Sequence, residues 1–300
     1  MIVLLLSLIA SGTRVVYQEL PCPVGDDVVR VYQLVSSNTL GGYDSDLATY
    51  ASEGQFREYA VATCAKSLFS LPVTHIQEPI DATLHPQLLA ALAEEVAALS
   101  DPGEPAVWER YSIAARMSRE LGRGPLEQAE LYLQASWTAR DTVVGYQQGL
   151  SGPAGVTALM DMGSAELAKP LTDDQRRTVL YTLARAAHRG GLGEAREAYL
   201  QQFEALGGLS EAEQQSLAAF RHIAQTVEPH YQDLAIAAFQ EALSGSLPTE
   251  ERLRSTYLVA DLMRRRGRAA EALPLYEAVR SDSHTPANIQ EMADILVSGM

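Results

Sequence analysis

A spaced pair of residues recurs three times along the second half of the chain. Each pair is an alanine followed four residues later by an aromatic side chain: Ala195 and Tyr199, Ala235 and Phe239, Ala272 and Tyr276. Four residues make about one helical turn, so each pair lies on one face of a helix. The alanines are 40 and 37 residues apart. A period of this length indicates repeated helical hairpins, whose small residues allow close approach while the aromatic side chains fill the gap to the next hairpin.

Glycines precede two of these pairs at the same distance, and Gly190-Gly191, Gly207-Gly208 and Gly267 predict helix ends. Gly190 and Gly267 each lie five residues before the alanine, and Ala260 supplies a small residue in the helix before Gly267. From about residue 105 to 282 the pattern resembles tetratricopeptide repeats, most closely over residues 229–280. The resemblance implies a mainly α fold, a helical-hairpin solenoid whose concave face binds peptides or proteins. It assigns repeat packing to Gly190, Ala195, Tyr199, Ala235, Phe239, Ala260, Gly267, Ala272 and Tyr276.

Capping motifs predict where several helices begin. Thr172-Asp-Asp-Gln175 and Ser210-Glu-Ala-Glu213 both match the capping box, and Thr285-Pro286 places a capping hydroxyl before a proline. Short connections between such helices make neighbours antiparallel. We therefore expect the groove of the solenoid to be lined by the first helices of its units, over residues 176–188, 212–224 and 252–264.

The residue composition changes near position 80. Clusters of β-branched and aromatic residues, such as Val28-Val-Arg-Val-Tyr32, precede this point, and helix-forming residues dominate after it. The sequence therefore predicts a small β-rich segment at 13–80 and a helical repeat domain at 82–300.

The β-rich segment carries a second resemblance. Cys22-Pro-Val-Gly25, Asp44-Ser45-Asp46 and Cys64-Ala-Lys-Ser67 resemble an uncharacterised bacterial family with an N-terminal zinc ribbon and a helical-repeat tail. Gly25 and Ser67 stand where each knuckle of that family has its second cysteine. A structural zinc ion needs four Cys or His ligands, and His75 and His85 lie outside knuckle spacing, so we predict no metal and no cofactor.

The same resemblance places the two remaining cysteines opposite each other. We hypothesise that a disulfide between Cys22 and Cys64 replaces the zinc ion in this degenerate ribbon. The acidic pair Asp44 and Asp46 is interpreted as capping backbone amides in a glycine-rich turn.

The first twelve residues, MIVLLLSLIASG, are apolar and end in small residues. This run is too short to span a bilayer and is typical of a secretory signal peptide, although no Lys or Arg precedes it. A first β-strand is the alternative. We predict export to the periplasm or cell envelope, with a cytoplasmic protein as the alternative, and no stable membrane span.

The function predicted from sequence is binding of a protein or peptide partner. A net charge of −15 disfavours nucleic acid as a partner, and the chain has no nucleotide-binding glycine loop and no metalloprotease or serine-hydrolase motif. The basic run at 264–268 is interpreted as complementing a helix dipole. We therefore predict a non-enzymatic adaptor or assembly factor, and its oligomeric state is open. The alternatives are a thiol/disulfide or metal-dependent protein centred on Cys22 and Cys64, and a structural component of the cell envelope.

Overall fold

A computed structural model describes residues 12–145, 147 and 150–300. The described chain is mainly helical, with a small β segment at its N-terminal side. The predicted signal peptide, apart from Gly12, lies outside the described residues. Among the described helices, none is long and apolar enough to cross a membrane.

The β segment consists of two antiparallel strand pairs. Strand β1 (Arg14–Pro21) pairs with β2 (Val28–Ser36), and β3 (Val61–Thr63) pairs with β4 (Ser70–Pro72). A single bridge between Val29 and Cys64 connects the two pairs. Two-stranded sheets are marginal by themselves in water, so this segment is supported by packing against the first two helices, His85–Ala97 and Val107–Glu120, and by the Cys22–Cys64 bond.

The helices follow in the order α1 (His85–Ala97), α2 (Val107–Glu120), α3 (Pro125–Val144), α4 (Gly152–Leu167), α5 (Asp173–Arg189), α6 (Gly193–Ala205), α7 (Glu211–His222), α8 (Glu228–Ser244), α9 (Thr249–Arg265), α10 (Ala269–Ser281) and α11 (Ala287–Ser298). Two short 3₁₀ turns occur at Phe56–Glu58 and Ala82–Leu84.

Three helical hairpins, α2–α3, α5–α6 and α9–α10, turn in the same way. Each first helix is followed by a glycine in the left-handed region, Gly122, Gly191 or Gly267, with φ of 73°, 69° and 74°. The next residue donates its amide to a carbonyl five residues back, as Leu192 does to Ala187. This is the Schellman closure, which glycine adopts without steric cost. The helix ends predicted at Gly190-Gly191 and Gly267 are therefore observed.

The predicted capping boxes are present at two helix starts. Thr172 Oγ1 accepts a bond of 3.3 Å from the Gln175 amide, while Gln175 Oε1 accepts one of 3.0 Å from the Thr172 amide. Ser210 and Glu213 make the same reciprocal pair. Thr285 behaves differently, because its hydroxyl donates to the carbonyl of Val279 at 2.6 Å and leaves α11 without a side-chain cap.

Helices α7 and α8 differ from the sequence prediction. They were expected to form two antiparallel helices, but the backbone continues from α7 through a five-residue π-helical turn, Ile223–Val227, directly into α8. Pro229 lies in the first turn of α8, where it has no amide to donate and needs extra room for its ring. The wider π turn provides that room without ending the helix.

The helices also contact partners that are remote in sequence. Helix α3 packs along α8, and α11 touches α4. In an ideal solenoid each unit contacts only its neighbours. These remote contacts, and the continuous α7–α8 helix, mean that a tetratricopeptide-like solenoid is not confirmed.

The predicted packing residues lie in two environments. Ala235, Phe239, Ala260, Ala272 and Tyr276 are fully buried in one core formed by α3, α8, α9, α10 and α11. Ala195 and Tyr199 are half-buried on α6, while Gly190 and Gly267 belong to the hairpin turns. The aromatic and small residues on α8, α9 and α10 thus mark buried helix faces, whereas the pair on α6 is half-buried.

Candidate functional site

The two cysteines form a disulfide bond, as hypothesised. The Cα atoms of Cys22 and Cys64 are 5.8 Å apart and the sulfurs are bonded. Both residues are buried, with exposed fractions of 6% and 0%. The bond joins the turn between β1 and β2 to the turn after β3.

Asp27 adds hydrogen bonds next to the disulfide. Its Oδ2 accepts the amides of Lys66 at 2.6 Å and Ser67 at 3.0 Å. The side chains of Cys22, Asp27 and Cys64 form the one described group of Cys, His, Asp or Glu residues close enough to hold a metal ion. Both sulfurs are consumed by the disulfide, so this group offers no thiolate to a cation.

A second cluster lies at the centre of the molecule, where the segment carrying Asp44, Ser45 and Asp46 enters the helical layer. All three residues are buried. Arg140, on α3, donates to Asp44 Oδ2 at 2.8 Å and to Asp46 Oδ2 at 2.5 Å. The same guanidinium donates to Glu228 Oε1 on α8 at 2.7 Å. One arginine therefore joins the N-terminal segment to two helices.

Helix α9 holds the same segment from another side. Ser45 Oγ donates to Asp261 Oδ2 at 2.9 Å and accepts from Arg264 at 3.0 Å and Arg265 at 2.8 Å. Tyr257 donates its hydroxyl to the Ser45 carbonyl at 2.6 Å. The basic run at 264–268 was expected from the sequence to complement a helix dipole. Two of its residues, Arg264 and Arg265, instead bind the loop that carries Ser45.

Arg189, at the end of α5, closes the cluster. Its Nε donates to Asp44 Oδ1 at 2.8 Å, and its guanidinium carbon lies 3.8 Å from the centre of the Tyr50 ring. The Tyr50 hydroxyl donates to Asp44 Oδ2 at 2.8 Å. Asp44 therefore receives bonds from α3, α5 and its own loop, and its side chain pairs with arginines and not with backbone amides. Asp46 also accepts the Ala48 amide at 3.4 Å, so the predicted capping holds for Asp46 alone.

The cluster is balanced in charge. Its four arginines, 140, 189, 264 and 265, match four carboxylates at 44, 46, 228 and 261. Burial alone would raise the pKa of Asp46, but the Arg140 and Arg265 guanidiniums outweigh burial and hold that pKa far below its usual range. For Glu228, burial likewise favours a higher pKa and the Arg140 guanidinium a lower one, and the pKa falls to about 2. All four carboxylates have arginine partners, and these pairs join the N-terminal segment to α3, α5, α8 and α9.

The groove predicted from sequence is only partly open. Helix α9 is mostly buried from Leu253 to Met263 and contacts the Ser45 segment, so this part of the predicted stretch 252–264 does not line it. The other two predicted stretches do come together. An open groove of about 500 Å³ lies between α5 and α7, with Arg177, Tyr181 and Arg185 on α5, Ser216 on α7 and Phe203 from α6.

Comparison with protein-family models, with curated proteins and with solved structures finds no match to this chain.

Proposed function

We propose that the protein is a non-enzymatic adaptor or assembly factor that binds a segment of a partner protein in the α5–α7 groove. The observation that carries this proposal is the composition of the groove. Its floor is aromatic, with the Tyr181 and Phe203 rings 5.6 Å apart, and Arg177 and Arg185 flank it. Aromatic residues and arginines are the types that dominate protein–protein binding energy.

The charges of the groove indicate the partner. Arg177 pairs with Asp174 at 3.1 Å, whereas Arg185 has no ion pair among the described residues and donates to the carbonyl of Val144. Burial lowers the pKa of Arg185, yet an arginine remains charged at neutral pH. The groove therefore suits an extended segment with an apolar side chain next to a carboxylate.

The repeat interpretation is part of the same proposal. Three helical hairpins with identical glycine turns support a tetratricopeptide-like origin for the helical region. In this proposal the N-terminal Asp44–Asp46 segment has taken over the α9 side of the concave face, and the α5–α7 side is left for a partner.

A bulky residue in the groove tests the proposal. Ser216 is exposed and lines the groove, so Ser216→Trp should block the groove while leaving the core intact. Gln215→Trp, on the same helix and outside the groove lining, is the matched control. Cross-linking and affinity capture from the native organism should recover a partner with the wild-type chain and the control but not with Ser216→Trp. Equal recovery with Ser216→Trp would contradict the groove assignment.

The buried disulfide supports export as part of the proposed function, because structural disulfides persist in oxidising compartments. Its burial argues against the thiol/disulfide alternative, since exchange requires an accessible sulfur. Cell fractionation with thiol counting tests the location, and two free thiols in the native protein would contradict it.

A further inference from the structure

A cavity apart from the α5–α7 groove lies where the loop around Tyr43, the start of α4 and helix α11 meet. Its volume is about 670 Å³, which is within the range of pockets that hold small ligands. None of its lining residues belongs to the α5–α7 groove. A ligand bound here would therefore be additional to the partner proposed for that groove.

Helix α11 forms one wall of the cavity with side chains from a single helical face. Asn288, Glu291, Met292 and Ile295 line the cavity, and such spacings of three, four and seven residues recur on one side of a helix. Met292 is buried and Ile295 is 38% exposed, while Glu291 is exposed. This wall therefore presents two apolar side chains beside one carboxylate.

Tyr43 forms another wall, and its backbone is held on both sides. It makes one β-bridge with Thr49 and a second with Ser151. Its carbonyl also accepts the Gly152 amide at 2.7 Å. The ring is 42% exposed and packs closely on Gly152, where an added Cβ would lie 3.0 Å from the ring carbon Cε2. An exposed aromatic ring is therefore already positioned at the cavity, which lowers the cost of binding a ligand.

Glu291 determines the charge of the cavity. It is the one charged residue in the described lining. The next acidic residue on α11, Asp294, pairs with Arg280 at 2.5 Å, whereas Glu291 has no ion pair among the residues that the structure describes. A carboxylate next to an apolar wall and an aromatic ring favours a ligand that is both cationic and partly apolar.

The start of α4 does little to neutralise this carboxylate. Its first amide, from Gly152, is donated to Tyr43, and the next residue, Pro153, has no amide. These two residues therefore leave no free N–H group for an anion at the cavity. The lining selects a cation for this reason.

We propose that this cavity binds a small organic ammonium ion, a protonated amine on an alkyl or aryl body. The N–H groups of the ligand would donate to the Glu291 carboxylate in charge-assisted hydrogen bonds. The Tyr43 ring would attract the same cation, and the apolar body would pack on Met292 and Ile295. Glu291 would repel an anionic ligand, and a neutral ligand would gain the apolar contacts alone.

Calorimetric titration of the full chain at pH 7 with three matched probes tests the proposal. The probes are 2-phenylethylamine, its neutral analogue 2-phenylethanol and the acid 3-phenylpropionate. The amine should bind at one site, at least about tenfold more tightly than the alcohol, which is about 1.4 kcal/mol. The acid should bind more weakly than the alcohol. Equal affinity for amine and alcohol, tighter binding of the acid, or no saturable binding of the amine would each overturn the proposal.

A lysine side chain of a peptide carries the same ammonium group, so a fourth probe separates the two sources. A capped tripeptide with a central lysine should bind more weakly than the amine, because its amides would lose water against the apolar wall. Tighter binding of the tripeptide would overturn the assignment to a small amine.

Glu291→Gln should weaken amine binding at least about tenfold, because it removes the charge and keeps the shape of the side chain. Glu277→Gln is the matched control, since Glu277 is also exposed, has no described ion pair and lies outside the cavity. Ala154→Trp should fill the cavity and abolish amine binding, whereas Ala158→Trp, one turn further along α4 and outside the lining, should not. Unchanged amine affinity in Glu291→Gln or in Ala154→Trp would overturn the proposal.

Discussion

Arg140 shows why a buried cation at the centre of this protein has to be an arginine. Its side chain is fully buried and it donates to Asp44, Asp46 and Glu228. A guanidinium has five donors in one plane and can reach three carboxylates at once. The ammonium of a lysine has a single nitrogen and would leave part of this negative charge unpaired.

Replacing Arg140 should therefore destabilise the protein strongly. Arg140→Ala leaves buried carboxylates uncompensated, and we expect the free energy of unfolding to fall by about 3 to 5 kcal/mol. Urea denaturation followed by circular dichroism measures the change. Arg280→Ala is the control, because its pair with Asp294 is largely exposed and should contribute less than about 1 kcal/mol. Similar losses in both variants would contradict the role given to the central cluster.

Local sequence rules could not identify this cluster. Asp44 and Asp46 match a capping pattern, and Arg264 and Arg265 match a helix C-terminus, so each residue has a sufficient local interpretation. The arginines that pair with Asp44 and Asp46 lie more than ninety residues away along the chain, as with the separation of 94 between Asp46 and Arg140. One sequence cannot reveal such pairings, because any carboxylate could pair with any of the arginines.

Among the elements, helix ends were the best-predicted features. Thr172, Ser210 and the turn glycines act within a few residues, so their chemistry is visible in sequence. The π turn before Pro229 was missed, because proline usually ends a helix and the sequence does not show when a wider turn will absorb it.

The glycine turns allow backbone strain to be separated from steric clash. A side chain at Gly267 would meet no atom within 4 Å, whereas one at Gly191 would lie 2.5 Å from Arg265 Cγ. Gly267→Ala should therefore lower the free energy of unfolding by about 1 kcal/mol through the left-handed backbone alone. Gly191→Ala should lower the free energy of unfolding by more than this, because the new methyl group would clash with Arg265, which Asp261 and Ser45 hold in place.

Thermal unfolding of the two variants measures this difference. Gly193→Ala serves as the reference, since Gly193 begins a helix outside the left-handed region and has open space around it. It should leave the unfolding temperature unchanged or slightly higher. If Gly267→Ala lowered the unfolding temperature as much as Gly191→Ala does, the clash with Arg265 would contribute nothing to stability.

At the scale of the whole molecule, the N-terminal segment is a structural part of the helical region. Residues 44–46 contact α3, α5 and α9, and Arg57 pairs with Asp141 on α3 at 2.5 Å. The change of composition near residue 80 predicted strands before helices correctly. It could not predict that a loop between the strands would be buried among helices, because loops are normally exposed.

The disulfide should stabilise the whole chain through its denatured state. It links residues 42 positions apart, for which loop-closure entropy gives about 4 kcal/mol. Reduction, or the Cys22→Ser and Cys64→Ser double variant, should lower the free energy of unfolding by an amount approaching this value. Equilibrium denaturation with and without reductant measures it, and reductant should have no effect on the double variant. Equal stability of the oxidised and reduced wild-type chain would show that the bond adds nothing.

The burial of Ser45 against Asp261 has a consequence for the timing of biosynthesis. These residues are separated by 216 positions, which a ribosome takes roughly 10 to 40 seconds to translate. Throughout that interval the acidic loop has no native arginines from α9 to receive it, and the centre of the protein stays open. The nascent polypeptide thus completes its interior only after the α9–α10 hairpin has been synthesised.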